Sequence, residues 1–160
     1  MLPLQDIKVL DVSQIMAGPY CTMVLADMGA EVIKVEKLNG GDDSRQMGPY
    51  VNGESTCFSQ INRNKKSISL NLKDERARQI FYRLAADADV IVENYRPGVT
   101  KSLSIDYDTI KAINPGIVYC SISGYGQTGP YSHKGGFDLV AQGMTGLMSM
   151  TGEEGKRPLK

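Results

Sequence analysis

The sequence has no tryptophan, a single histidine and only three cysteines among its 160 residues. Cys21, Cys57 and Cys120 are far apart and form no C-x-x-C pair, which argues against a disulfide framework and against a metal site such as zinc. A charge excess is also lacking, because 18 basic residues balance 18 acidic ones. We therefore expect no nucleic-acid or membrane partner, and any anionic ligand must be bound by local groups.

Long hydrophobic runs are missing as well. Nowhere do 18 apolar residues follow one another, and the first residues lack the basic start and apolar core of a secretory signal, so we expect a cytoplasmic protein. Hydrophobic residues make up 41% and charged residues 22%, which is typical of a globular chain. The length predicts one domain over residues 1–160.

Short apolar segments alternate with helical patterns along the chain. Strands are predicted at residues 7–13, 31–36, 67–72, 89–95 and 117–123. Helices are predicted at residues 19–29, 55–62, 74–85, 106–114 and 137–150. This alternation predicts the doubly wound α/β class, a parallel sheet covered by helices on both faces. In such sheets ligands bind beyond the carboxyl ends of the strands.

Polar, glycine and proline residues crowd several predicted strand ends. At Gly18, the missing side chain would let an anion approach the N–H groups of a helix start, although a tight turn with nothing bound is an equal alternative. Residues 94–98 place an amide, an aromatic ring and a guanidinium after a buried strand, where they could contact a nucleotide-like ligand or simply form a solvated loop. The basic cluster at residues 62–66 has the same two readings.

Gly124 to Gly129 formally match the dinucleotide-binding pattern G-x-G-x-x-G. That pattern belongs in the first strand-to-helix turn, whereas here it follows the last predicted strand and runs into Pro130, so we do not predict an NAD site. His133 lies in a polar loop without a nucleophile beside it, and we interpret it as an exposed residue.

Four ordered blocks, at residues 11–36, 64–73, 92–98 and 114–152, resemble class III CoA-transferases of the CaiB/BaiF and formyl-CoA transferase type. The resemblance implies that this chain forms the amino-terminal part of the Rossmann-like large domain of those enzymes. It also implies transfer of CoA from an acyl-CoA to a small carboxylic acid through an aspartyl-CoA intermediate. CoA and acyl-CoA would then be substrates, with no tightly bound cofactor.

Carried over by position, the resemblance assigns CoA contacts along several strand ends and one residue near the reacting centre. The CoA-contacting residues would be Met16, Ala17, Lys37, Leu70, Asn94, Tyr95, Arg96 and Val99, and Tyr125 would lie near the reacting centre. Met16 stands where some members of the family have glutamine, and Ser102 stands where many have arginine. Substrate choice and phosphate contacts are therefore open at these positions.

The family's nucleophilic aspartate would follow just after Lys160, together with a linker and a small domain, so the chain is expected to be incomplete and inactive alone. Asp138 is a weak catalytic candidate that suits helix capping better. A racemase of 2-methylacyl-CoA esters is disfavoured because Phe137 stands where that branch has histidine. A non-catalytic CoA- or nucleotide-binding module remains an alternative, and the full-length enzyme would be an interlocked homodimer.

Overall fold

The structure is a computed structural model that describes every residue from Met1 to Lys160. The chain divides into two compact units, unit 1 at Met1–Ile122 and unit 2 at Ser123–Lys160. None of the helices has the length and hydrophobicity of a membrane-spanning segment.

Unit 1 contains seven strands and five α-helices. The strands are β1 (Lys8–Asp11), β2 (Glu31–Glu36), β3 (Tyr50–Val51), β4 (Glu54–Ser55), β5 (Lys65–Ser69), β6 (Val90–Glu93) and β7 (Val118–Ser121). The helices are α1 (Ala17–Asp27), α2 (Thr56–Ile61), α3 (Glu75–Ala86), α4 (Val99–Ser102) and α5 (Tyr107–Ile113), with a 3-10 helix at Asp43–Gln46. Strands β3 and β4 form a separate antiparallel hairpin.

The other five strands form one parallel sheet in the order β5-β2-β1-β6-β7. The chain winds outward from β1 through β2 to β5, and then returns to β6 on the other side of β1. The carboxyl ends of β1 and β6 therefore flank the topological switch point, where ligands bind in sheets of this class. The predicted doubly wound α/β fold is confirmed.

Successive residues of the central strand β1 pack into different apolar clusters. Leu10 belongs to a cluster with Phe81 of α3 and Ile110 of α5, whereas Val9 belongs to one with Ala26 of α1. Because successive strand residues point to opposite faces, helices cover both faces of the sheet. Phe81 is fully buried, and burial of such a side chain is worth about 1.5–3 kcal/mol.

Strand β5 corrects the prediction of a strand at residues 67–72. The ladder with β2 places Lys65 directly beside Val32, so the strand begins two residues earlier and ends at Ser69. Leu70 then leaves the sheet and is buried in the apolar core. Pairing with a neighbouring strand, rather than alternation of apolar residues, sets these bounds.

Helix boundaries are confirmed at some ends and corrected at others. Helix α3 begins after Asp74, as predicted, and the Asp74 side chain accepts a hydrogen bond from the Arg76 N–H at 2.8 Å. Helix α1 begins at Ala17, two residues before the predicted start. Pro19 fits there because the first turn of a helix needs no N–H donor.

Unit 2 contains two short helices, α6 (Asp138–Met144) and α7 (Leu147–Met150). The single helical segment predicted at residues 137–150 is therefore divided, and Gly146, with φ of 80°, lies at the break. Exposed large hydrophobic side chains mark this unit; they are Tyr131, Phe137, Leu139, Val140, Met144, Leu147, Met150 and Leu159.

A close contact between two glycines shapes the glycine-rich loop of unit 2. A Cβ built on Gly124 would lie 2.3 Å from the Cα atom of Gly136, so neither position has room for a side chain. No helix begins after Gly129 until Asp138. The dinucleotide-binding alternative therefore lacks the structural context that its glycine pattern requires.

Candidate functional site

The loops that follow β1 and β6 are tied together at the switch point. The Asn94 Oδ1 accepts a hydrogen bond from the Gln14 N–H at 2.8 Å, and the Asn94 Nδ2 donates to the Gln14 carbonyl at 2.8 Å. Both polar atoms of the Asn94 amide are thus engaged with one backbone unit. Asn94 was expected to contact CoA, and in this structure it positions the loop between β1 and α1, residues 12–16, which we call the β1 loop.

Beyond this contact, the β1 loop enters α1 with unpaired backbone donors. Met16 is the N-cap residue and provides no side-chain cap, and the N–H groups of Met16, Ala17 and Gly18 have no acceptor within the protein. Met16 and Ala17 are exposed. Unpaired N–H groups at a helix start carry partial positive charge and suit an anionic oxygen.

Gly18 serves this helix start differently from the prediction. It is buried, and a Cβ built on it would lie 2.1 Å from the Ser13 Cβ and 2.4 Å from the Ser13 Oγ. Ser13 fills the space that a side chain at residue 18 would occupy. The expectation that this space lets a ligand approach is therefore corrected. Close packing of the loop against α1 is the reason that glycine is needed here.

Ile15 has a φ of 66°, in the left-handed region that β-branched residues rarely enter. Its side chain is not held by the core, because the residue is 43% exposed. Its backbone N–H instead lies 3.0 Å from Oδ1 and 3.2 Å from Oδ2 of the buried Asp42. A hydrogen bond to a carboxylate thus compensates an unfavourable backbone conformation, as is common at functional sites.

Four charged side chains form a buried cluster with this loop. The Lys34 Nζ lies 2.8 Å from the Asp42 Oδ2 and 3.8 Å from the Asp11 Oδ2, and it donates to the Ser13 carbonyl at 2.9 Å. The Lys65 Nζ lies 2.9 Å from the same Asp11 oxygen. Two cations face two carboxylates, so each buried charge has the partner that burial requires.

The protein environment lowers the pKa values of two members of this cluster, Asp42 and Lys65, for different reasons. Burial acts to raise the pKa of Asp42, but hydrogen bonds from Lys34, Ser44 and Ile15 outweigh burial, and the pKa is lowered. Burial lowers the pKa of Lys65, against the opposing charge of Asp11. Asp42 is therefore held as a carboxylate at neutral pH.

A third buried carboxylate, that of Glu36, fixes the loop that follows β2. The Glu36 Oε2 accepts from the Asp42 N–H at 2.8 Å and from the Arg45 Nε at 2.7 Å, while its Oε1 accepts from the Arg45 Nη2 at 2.7 Å and the Ser67 Oγ at 2.6 Å. Burial acts to raise the pKa of Glu36, but these bonds prevail and lower it to about 2. The Arg45 guanidinium also lies over the Phe58 ring of α2, 3.7 Å from its centroid.

This network was not predicted from the sequence, although a signal was present. Lys34 interrupts the apolar strand β2, and a charge inside a buried parallel strand requires a partner. Lys65 also corrects the interpretation of residues 62–66: its side chain is 2% exposed and donates to the Asn62 Oδ1 at 2.9 Å. Neither a solvated loop nor a phosphate contact describes Lys65.

The predicted contacts at β2 and β5 differ in exposure. Lys37 follows β2, is exposed and forms a surface ion pair with Asp43. Such a pair contributes at most about 1 kcal/mol, so the ammonium is available to a ligand. Leu70 follows β5 and is 8% exposed, with its side chain packed in the apolar core. Its backbone N–H also has a partner within the protein, because it donates to the Glu36 carbonyl at 2.9 Å.

The segment after β6 presents one charged and two apolar groups. Arg96 is exposed, Tyr95 packs against the apolar core, and Val99 begins α4. Burial raises the pKa of the Tyr95 phenol. Arg96 is thus the cation that this loop offers to a phosphate.

Tyr125 and Asp138 belong to unit 2. The Tyr125 Oη donates to the Met144 sulfur at 3.3 Å, and its ring packs edge-to-face on Tyr131 with centroids 5.8 Å apart. Asp138 is the first residue of α6 and accepts a hydrogen bond from Gln142 at 2.6 Å. Phe137 is the N-cap residue, so the predicted capping role of Asp138 is corrected to a first-turn acidic residue.

The start of α1 can bind an anion, but the three carboxylates that support the neighbouring loops are not free to act as nucleophiles. Asp11, Glu36 and Asp42 are at most 4% exposed, and each accepts several hydrogen bonds within the protein. A carboxylate engaged in this way is stabilised as an anion and cannot approach a substrate carbonyl.

Comparison with known proteins identifies the family of the chain. Residues 4–160 match the sequence profile of CoA-transferase family III. A succinyl-CoA:glutarate CoA-transferase of Mus musculus is 52% identical over 100% of this chain and 37% of its own length. An acetyl-CoA:oxalate CoA-transferase of Acetobacter aceti is 46% identical over 94% of this chain and 39% of its own length.

A solved structure of a CaiB/BaiF family protein from Brucella suis superposes with a TM-score of 0.94 at 43% identity, covering 99% of this chain and 43% of that one. The chain thus spans well under half the length of these proteins. It belongs to CoA-transferase family III.

Proposed function

We propose that this member of CoA-transferase family III forms the CoA-binding part of a longer enzyme, which transfers CoA from an acyl-CoA thioester to a carboxylic acid. The observation that carries the proposal is the joining of two loops at the switch point. Asn94 binds the backbone of Gln14, which brings the free N–H groups of Met16 and Ala17 beside the loop that carries Arg96.

The chemistry of CoA fits this edge of the sheet. An acyl-CoA carries phosphates at one end, which cations can bind, and a thioester carbonyl at the other, which N–H groups can bind. Exposed Arg96 and Lys37 supply the cations, and the start of α1 supplies the donors. The same edge collects Met16, Ala17, Lys37, Leu70, Asn94, Tyr95, Arg96 and Val99, which supports their assignment to the CoA site.

The proposed reaction requires no oxidant or metal. An aspartate carboxylate attacks the thioester carbonyl, forming an anhydride and releasing CoA thiolate. The thiolate attacks the aspartyl carbonyl of the anhydride, which gives aspartyl-CoA and releases the carboxylate of the acyl donor. The acceptor carboxylate then attacks the aspartyl-CoA carbonyl, which forms a second anhydride and releases CoA thiolate. The thiolate attacks the acceptor carbonyl of this anhydride, which gives the new acyl-CoA and restores the aspartate. We place that aspartate beyond residue 160 of the longer protein.

Dicarboxylic acids are the proposed acceptors. The relatives from Mus musculus and Acetobacter aceti are named for glutarate and oxalate, which are both dicarboxylic acids. Incubation of the longer protein with succinyl-CoA and glutarate should yield glutaryl-CoA and succinate in equal amounts by mass spectrometry. Hydrolysis of succinyl-CoA without a new thioester, for any dicarboxylate offered, would contradict the proposal.

Arg96→Ala tests the CoA site within the same assay. Loss of one charge-assisted phosphate contact should raise the KM for acyl-CoA about tenfold with little change in kcat. Lys101→Ala is the matched control, because Lys101 is an exposed cation on the neighbouring α4. Equal effects of both substitutions would remove Arg96 from the proposed site.

The aspartyl intermediate and the interlocked homodimer rest on the family resemblance. Mass spectrometry of the longer protein, quenched during turnover, should find CoA attached to a single aspartate. Sedimentation should give twice the mass of one chain. CoA on another residue type, or a stable monomer, would contradict the respective proposal.

A further inference from the structure

We propose that the buried Lys34–Asp42 ion pair is a positioning device for the β1 loop. It holds Ile15 in the left-handed conformation and thereby sets the directions of the Met16 and Ala17 N–H groups. The identity of the ligand as CoA rests on the proposed function above, whereas the effect on loop conformation does not.

Three consecutive backbone units of the loop are held from outside it. The Lys34 Nζ binds the Ser13 carbonyl at 2.9 Å, Asn94 binds both polar groups of Gln14, and Asp42 binds the Ile15 N–H at 3.0 Å. The first and third of these contacts come from the two members of one ion pair, whose Nζ and Oδ2 are 2.8 Å apart. The loop is thus fixed immediately before its free donors begin.

Asp42 is itself held so that it cannot follow the loop. Its Oδ1 accepts from the Ser44 N–H at 2.9 Å and from the Ser44 Oγ at 2.8 Å, and its own N–H donates to the Glu36 Oε2 at 2.8 Å. The loop after β2 is therefore a rigid support. The exposed side chain of Ile15 contributes little to holding its own backbone.

Stability alone does not explain why charged groups occupy these positions. A buried ion pair is often replaceable by apolar residues of similar volume without loss of stability. Apolar side chains, however, could not hold a carbonyl at Ser13 and an N–H at Ile15. The Lys34–Asp42 pair supplies a donor and an acceptor at fixed separation, which is what a preorganised binding loop needs.

The test is Asp42→Asn, which keeps the shape of the side chain but removes its charge. Backbone NMR shifts of residue 15 in the ligand-free chain should move away from left-handed values. CoA affinity measured by calorimetry should fall about tenfold or more, which corresponds to at least 1.4 kcal/mol. If Asp42→Asn does not fold, Ser44→Ala removes the hydroxyl support and should move both readouts in the same direction by less.

A rescue variant separates positioning from a general effect on stability. Asparagine enters the left-handed region readily, so Ile15→Asn in the Asp42→Asn background should restore the residue 15 shifts and most of the affinity. Ile15→Val is the matched control, because it stays β-branched and should restore neither. Unchanged shifts in Asp42→Asn, or equal rescue by asparagine and valine, would overturn the proposal. If the wild-type chain shows left-handed NMR shifts at residue 15 but does not bind CoA, the proposal that CoA is the ligand is wrong, and the proposal about loop conformation is unaffected.

Discussion

The buried Glu36 carboxylate should make the stability of the chain depend on pH in a defined window. Its pKa falls from 4.5 to about 2 in the folded chain. At ~1.4 kcal/mol per pKa unit, the difference corresponds to about 3 kcal/mol of stability. Because the folded pKa is depressed, this stability is present above pH 4.5 and is lost as the pH falls toward about 2.

Glu36→Gln tests this magnitude. Every contact of the carboxylate is with a donor, namely the Asp42 N–H, two nitrogens of Arg45 and the Ser67 hydroxyl, so the amide NH₂ would face another donor. The difference in unfolding free energy between the wild type and the variant should be about 3 kcal/mol at pH 7 and should shrink below pH 4.5. Urea unfolding at a series of pH values measures it.

Glu31→Gln is the matched control, since Glu31 lies on the same strand but is exposed and pairs with Lys66 at the surface. Its effect should be much smaller at pH 7. A difference for Glu36→Gln that stays constant between pH 7 and pH 3, or that equals the effect of the control, would refute the reasoning.

Two further predictions concern glycines. Gly18→Ala should destabilise the chain by about 1–3 kcal/mol in urea unfolding, because the new methyl group overlaps Ser13; a neutral result would contradict the packing. Gly124→Ala should expose residues 123–160 to limited proteolysis, because its Cβ overlaps Gly136, whereas Gly143→Ala within α6 should protect them slightly; equal cleavage of both variants would contradict the glycine contact.

Much of the fold could be predicted from local patterns. Strand β2 has the predicted bounds of residues 31–36, and α3 begins at its predicted cap, Asp74. The bounds of β5 could not be predicted, because they depend on pairing with β2 and not on the apolar pattern of residues 67–72. Strands β3 and β4 were also missed, since hairpins with two-residue strands carry almost no periodic signal.

The candidate site was predicted as a set of strand ends, but its internal contacts were not. Asn94 and Ala17 lie at the switch point, as the predicted fold class requires. The contacts of Asn94 with Gln14 and of Asp42 with Ile15 join residues 80 and 27 positions apart. No local spacing reveals such pairs, and only the buried charge of Lys34 signalled that partners must exist.

Hydrogen exchange of the backbone amides with and without CoA tests the central claim most directly. The N–H groups of Met16 and Ala17 are at exposed residues and have no acceptor in the chain, so they should exchange rapidly alone and slow markedly when CoA is added. Residues 94–99 should become protected at the same CoA concentration, and NADH should protect neither segment. Protection by CoA confined to residues 124–129, or no protection at saturating CoA, would contradict the account.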